Sequence, residues 1–316
     1  MWTGAPRKSE LKFGDRSLDF WRLGSRDRSI SAGVERGDQR GAMKLAFSTL
    51  GCPGWDLDTI LNKGKEYGFD AVDFRGLQDE MVVPRAEAFS ARLNETLKKF
   101  QGSGLQISCL SSSVQCVPRD KESLKASMDE LQLYLELASK VGSPYVRIFG
   151  GKGPEGSSRE QRLDMGSKVL HGMAELAGRR SVQLLLETHD DWCSSKDVKA
   201  LLAATDHPCV GVCWDLHHPH KFGETPRETW SNLFPNVWYV HVKDAKIGGN
   251  GEEKLCLVGE GDLPLKEFLL VLKEGRYPGI YCLEWEKRWH PQIEEPEEAF
   301  PRYVERMKTW SQEIGK

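Results

Sequence analysis

Val210-Gly-Val-Cys-Trp-Asp215-Leu-His-His218 is a short apolar run that ends on an acid, with a histidine three positions further on. As a buried strand, its period-two alternation sets Gly211, Cys213 and Asp215 on one face and leaves the carboxylate at the C-terminal end, pointing inward. Three other runs end the same way: Val182-Gln-Leu-Leu-Leu-Glu187-Thr-His189 before it, then Val237-Trp-Tyr-Val-His241 and Ile280-Tyr-Cys-Leu-Glu284 after it. Four strand ends therefore present Glu187, Asp215, His241 and Glu284. That is an oxygen-rich ligand set with one imidazole, of the kind that holds a divalent metal.

Outward from these runs, strand and helix alternate. Lys44-Leu-Ala-Phe-Ser48 is a first strand directly after Met43, and Asp56 caps a helix that stops at Gly68. Strands follow at Asp70–Arg75, Leu105–Leu110 and Pro144–Phe149, interleaved with helical patterns at 89–100, 123–141 and 158–177. Later helices fall near 195–204, 226–234, 264–274 and 299–314. Eight strands in βα alternation predict a single α/β domain, a closed (β/α)8 TIM barrel over residues 43–316. An open doubly wound sheet is the alternative, but no G-x-G-x-x-G follows the first strand.

Residues 1–42 differ from the rest, with nine Lys/Arg against six Asp/Glu and no periodic apolar face. A disordered N-terminal extension is expected there, and its acids argue against a transit peptide. The 316 residues are 39% hydrophobic with a formal net charge of -3, and no basic block interleaves with aromatics. Nucleic acid is therefore not an expected partner. The longest apolar stretches are too short to span a bilayer, so no membrane partner is expected either. Eight cysteines without a C-x-x-C pair suit a reducing cytoplasm, and a homo-oligomer is compatible with this composition.

In barrels of this kind the C-terminal strand ends converge, so ligands separated by 28, 26 and 43 positions (187 to 215 to 241 to 284) meet in space. Here the chain resembles the xylose isomerase-like sugar isomerase and epimerase barrels over most of residues 43–316. The resemblance is carried by Leu-Leu-Leu-Glu187, Asp215-x-x-His218, His241-Val-Lys-Asp244, Gly259-Glu-Gly261 and Gly279-x4-Glu284. It implies one divalent ion, Mn2+, Mg2+ or Co2+ with Zn2+ also admitted, held by Glu187, Asp215, His241 and Glu284. It also implies a small-molecule sugar or polyol substrate whose carbonyl and hydroxyl oxygens the ion binds. Removing a proton next to a carbonyl leaves an enediolate; a metal on both oxygens offsets its charge while a carboxylate takes the proton. Glu187 and Glu284 are the catalytic pair in that reading, one on each face of the carbon.

Around this set, His218 resembles the family's donor to a substrate oxygen, with a surface-loop position as the plain alternative. His189 shares the parity of Glu187 and is read as a substrate contact or a cap. Arg75 and Arg147 end the second and fourth strands and could hold a hydroxyl, carboxylate or phosphate, or pair with an acid such as Asp73. Lys243 has inward parity and is a candidate to polarise a substrate oxygen. Glu286 competes with Glu284 as a ligand. Trp55, Trp192, Trp285 and Trp289 lie beside strand ends, where they could stack on a sugar; Trp214 has the parity of a barrel–helix contact.

The expected activity is that of a metal-dependent sugar isomerase or epimerase. A dehydratase (lyase) of an inosose-like keto-polyol is the nearest alternative. A phosphodiester hydrolase would need histidines from early strands, yet the first histidine is His171, and Leu255 stands where that branch carries another. A non-catalytic sugar-binding barrel would have no need of all four ligand types.

Overall fold

The computed structural model describes residues 43–249 and 251–315. The expected extension over 1–42 lies outside them. Ten strands run β1 (Lys44–Ser48), β2 (Ala71–Phe74), β3 (Gln106–Gln115), β4 (Tyr145–Phe149), β5 (Gln183–Glu187), β6 (Val210–Asp215), β7 (Val237–Val242), β8 (Asp244–Ile247), β9 (Glu253–Cys256) and β10 (Ile280–Leu283). Eight of them close a parallel barrel in the order β1-β10-β7-β6-β5-β4-β3-β2, while β8 and β9 form a separate antiparallel hairpin. The chain is a TIM barrel, as the alternation predicts. Closure is made by β1 on β10, with Leu45 level with Tyr281 and Phe47 with Leu283.

Helices α1 (Leu57–Tyr67), α2 (Leu93–Ser103), α3 (Lys121–Val141), α4 (Arg159–Gly178), α5 (Ser195–Thr205), α6 (His217–Lys221), α7 (Pro226–Leu233), α8 (Leu265–Glu274) and α9 (Pro296–Gly315) complete the order. Their starts are written in local chemistry. Asp56 accepts from the Thr59 amide ahead of α1, and Asp120 with Ser123, Ser158 with Gln161 and Thr225 with Glu228 form reciprocal capping boxes before α3, α4 and α7. The helices cover the outside of the barrel through apolar faces. There Trp214 packs edge-on to Phe268 at 5.4 Å, and Phe47 meets Phe69 and Phe300, both at 4.8 Å.

The inside of the barrel is built in levels. An apolar cluster takes one buried residue from each barrel strand: Ala46, Ala71, Cys109, Tyr145, Leu185, Cys213, Tyr239 and Cys282. Two residues further along each strand, on the same face, stand Ser48, Asp73, Ser111, Arg147, Glu187, Asp215, His241 and Glu284, all buried and all polar. Gly211 keeps the lower levels filled: a Cβ there would lie 2.2 Å from the Trp238 ring.

Three features depart from the sequence reading. β3 continues through Ser111–Gln115 beyond the expected end at Leu110, α6 follows β6 at once, and the β8–β9 hairpin interrupts the simple alternation after β7. All eight cysteines are unpaired. No described helix is long and apolar enough to cross a membrane.

Candidate active site

The C-terminal ends of β5, β6 and β7 and the residue after β10 bring Glu187, Asp215, His241 and Glu284 together. Their ligand atoms all lie within 4.8 Å of one another, and all four side chains are buried. The register explains this: Asp215 is level with His241 across β6 and β7, and Glu284 follows Leu283, which is level with Val242. His241 Nδ1 stands 2.9 Å from Glu187 Oε1 and 3.3 Å from Glu284 Oε1. Its Nε2 lies 3.1 Å from Asp73 Oδ2, which also accepts from the Ser111 hydroxyl at 3.0 Å.

The two cations of this level are committed. Arg147 Nε lies 3.1 Å from Glu187 Oε2, and its Nη1 donates to the Ser112 carbonyl. The Lys243 ammonium sits 2.8 Å from Asp215 Oδ2, 2.9 Å from Glu284 Oε2 and 2.6 Å from Glu286 Oε1. Glu286 thus holds the lysine and stands outside the four-ligand group. Asp215 is fixed from behind, with Oδ1 accepting from the His217 amide at 2.8 Å and its own amide donating to Thr188 Oγ1 at 3.0 Å.

Burial alone would raise the Glu187 carboxyl's pKa, but the Arg147 and His241 charges bring it down to about 2. Burial likewise opposes ionisation of Glu284, which Lys243 and His241 hold well below the usual carboxylate range. Both are anions at neutral pH. Burial also works against a charge on His241, and the groups around it, Cys213, Glu284 and Glu187, keep its pKa well above the usual histidine value. Cys213, just below, has its thiol pushed up to about 12 by burial, so it stays protonated and is a poor competitor for a metal.

A divalent cation fits this donor set. Five carboxylates (Asp73, Glu187, Asp215, Glu284 and Glu286), all but Glu286 buried, outnumber the basic groups among them, Arg147, Lys243 and His241, leaving an excess of negative charge. Glu187 Oε2 and Asp215 Oδ2 are buried without a hydrogen bond of good geometry, although each has a cation within ion-pair distance. Three oxygens and one nitrogen suit Mg2+, Mn2+, Co2+ or Zn2+.

At the rim, His218 Nε2 lies 3.4 Å from Asp215 Oδ2, and its ring meets that of His189 at 4.5 Å. Burial lowers the His218 pKa to about 4, so this imidazole is neutral. For His189 burial acts in the same sense but is overcome, chiefly by Asp190 at 3.1 Å, and the pKa is raised. Arg75, just beyond β2, donates through Nη2 to Ser113 Oγ at 2.8 Å.

Three of the four tryptophans near strand ends are packing residues. Trp55 lies against Phe300, Trp192 donates to the Gly151 carbonyl, and Trp285 donates to the Glu294 carbonyl. Trp289 is 52% exposed. Sequence reasoning missed Asp73 as the second partner of His241. It also missed Asp244, whose Oδ2 accepts from the Gly259 amide at 2.8 Å and the Gly261 amide at 3.0 Å. Only glycine fits at 261, since a Cβ would lie 2.1 Å from Asp244 Oδ1. The signal was present in His241-Val-Lys-Asp244 and Gly259-Glu-Gly261, but not the contact between them.

Among curated proteins, the uncharacterized protein YihM of Escherichia coli (strain K12) is 27% identical over 152 residues, 47% of this chain and 44% of that protein. The C-glycoside deglycosidase alpha subunit of Arthrobacter globiformis is 31% identical over 90 residues, 28% of this chain and 22% of that one. The matched stretches thus span less than half the length of either relative. Among solved structures, 3-keto-D-glucoside 4-epimerase YcjR from E. coli superposes with a TM-score of 0.70 at 16% identity, covering 85% of this chain and 100% of that one. The probable 3-DHS dehydratase AsbF from Bacillus anthracis gives 0.68 at 18%, covering 84% and 98%. The IOLI protein with a binding zinc atom gives 0.69 at 17%, covering 86% and 98%. Residues 61–310 match the family described as xylose isomerase-like TIM barrel. On that match over most of its length, the chain belongs to the xylose isomerase-like TIM barrel family.

Proposed function

We propose that this barrel is a divalent-metal-dependent sugar isomerase or epimerase that moves a proton on the carbon next to a carbonyl. The observation that carries the reading is the convergence of Glu187, Asp215, His241 and Glu284 within 4.8 Å at the C-terminal strand ends. These four would hold the ion. Bound there, a divalent ion supplies a Lewis acid for adjacent carbonyl and hydroxyl oxygens.

The remaining chemistry belongs to side chains. Glu187 at the end of β5 and Glu284 just after β10 approach the same His241 nitrogen, which supports reading them as the two carboxylates that act on one carbon. One takes the proton from the carbon and passes it to solvent, and the other returns to the carbon a proton it has drawn from solvent, so that both end ionised again. His218, neutral and beside Asp215, is placed to donate to a substrate oxygen, and Lys243 to face the negative charge that develops there. Arg147 keeps Glu187 ionised and oriented.

The experiment is exchange in deuterated water with a panel of ketoses, beside metal analysis of the purified protein. Deuterium on the carbon next to the carbonyl, about one ion per chain, and a fall in turnover of about two to four orders of magnitude in Glu284→Gln are expected. Near wild-type turnover in Glu284→Gln overturns the role of Glu284 as a base. A second reading, dehydration of a keto-polyol, draws on His189: against the effect of burial, Asp190 beside it raises its pKa, which favours the protonated imidazole that a departing β-hydroxyl needs as an acid. Release of water from an inosose-like substrate would select it.

A further inference from the structure

The cationic groups at the mouth of the barrel are not equivalent. Arg147 is paired with Glu187, Lys243 with Asp215, Glu284 and Glu286, and His189 with Asp190. Arg75 makes no ion pair among the described residues; Nη2 ends on a serine hydroxyl, and Nη1 is buried with no partner. Glu130 of α3 favours its charge from a distance but forms no ion pair with it, its Oε1 accepting from the Ser113 amide at 2.8 Å. Burial, then the like charge of Arg147, press its pKa below the usual arginine range.

A half-buried guanidinium without an ion pair is costly to keep. Nor is Arg75 loosely placed. Its amide donates to Thr49 Oγ1 at 3.0 Å, and the same hydroxyl donates to the Gly76 carbonyl at 2.6 Å, fixing the backbone on both sides. Arg75 stands two residues beyond Asp73, just past the end of β2, and Asp73 touches His241. Arg288 reaches the Gln78 carbonyl at 2.6 Å and likewise meets no carboxylate among the described residues.

We infer that Arg75 receives an anionic group of the substrate, a carboxylate or a phosphate, so that the preferred substrate is an acidic sugar whose reacting carbon lies at the Glu187–Glu284 centre. The planar fork of a guanidinium matches either oxyanion in a two-bond contact, and Nη1 is the donor without other work. The inference rests on the sugar reading above and adds the charge of the substrate to it.

Matched probes test it on the metal-loaded full chain by calorimetric titration: D-glucose against D-glucuronate, and D-fructose against D-fructose 6-phosphate. At least one anionic probe is expected to bind about ten-fold or more tighter than its neutral partner, the usual worth of a charge-assisted pair. Arg75→Gln should bring that probe to the neutral partner's affinity, and Arg75→Lys should keep part of the difference. The arm that responds tells carboxylate from phosphate. Equal binding of neutral and anionic probes overturns this inference and leaves the sugar reading standing. So does a preference that survives Arg75→Gln, because the anion is then held elsewhere. Binding of no probe at all removes both. Arg75→Gln should melt no lower than wild type; if it does unfold, Arg75→Lys decides the matter, a reduced anion preference supporting the inference and an undiminished one overturning it.

Discussion

Two neighbouring levels of the barrel use the same strands and the same side-chain direction for opposite purposes. The lower level, from Ala46 round to Cys282, is apolar and fills the lumen, whereas two residues higher every strand presents a polar group, from Ser48 to Glu284. Packing holds the first level together; ion pairs to His241, Arg147 and Lys243 hold the second. The difference teaches that stability and chemistry are separated here by one period of the strand rather than by separate domains.

The sharpest break in this comparison comes from Asp215→Ala or His241→Ala. Either should take the metal content from about one ion per chain to near none, because a four-ligand site rarely survives loss of a member. Full occupancy in both variants would remove the ligand assignment. Leu185→Ala, one step below Glu187, should instead cost roughly 2–5 kcal/mol of folding stability while metal stoichiometry is kept. Denaturant unfolding and metal analysis on the same sample separate the two levels. If Leu185→Ala loses the ion and keeps its stability, the levels are not separate.

A smaller effect is expected at Lys243. Its ammonium occupies oxygens of Asp215 and Glu284 that a divalent ion would use, so Lys243→Met should bind metal about ten-fold tighter, or about 1.4 kcal/mol. Chelator competition measures this, and unchanged or weaker binding sinks the idea of competition. The smallest effect is pH-linked. His218 has a folded pKa of about 4 against about 6.5 when unfolded. The unfolded chain therefore binds the extra proton, and stability contributed by this group is lost as pH falls from about 6.5 towards about 4. Wild type should lose on the order of 1 kcal/mol more than His218→Asn between pH 7 and pH 5. Equal slopes in urea melts would contradict it.

The barrel and its four convergent groups were legible because parity survives burial: in Val-Gly-Val-Cys-Trp-Asp215 the alternation alone decides that Asp215 faces in and Trp214 faces the helices. What parity does not contain is the partner. Asp73 and His241 are 168 positions apart, and nothing local marks an acid in Ala-Val-Asp-Phe as the one that meets an imidazole across the lumen. Lys243 was legible as inward, but not as shared among three carboxylates. The serine run 111–113 reads as loop by propensity, yet tertiary pairing with β4 makes it strand. The β8–β9 hairpin was hidden for a related reason, since its charged, glycine-rich segment carries no apolar signal.

That hairpin begins three residues after His241, and its base is pinned where Asp244 gathers the Gly259 and Gly261 amides. The tip is closed by its own backbone, with the Gly248 amide donating to the Glu252 carbonyl at 2.7 Å. Between base and tip the hairpin is tied to α6, where Glu253 lies 3.3 Å from His217 Nε2 and 2.6 Å from Lys221 Nζ. A change in the hairpin is therefore felt at α6, whose His217 amide holds Asp215. Sequence change in the excursion after β7 in this sense reaches the end of β6 through side-chain ion pairs rather than through the barrel's backbone.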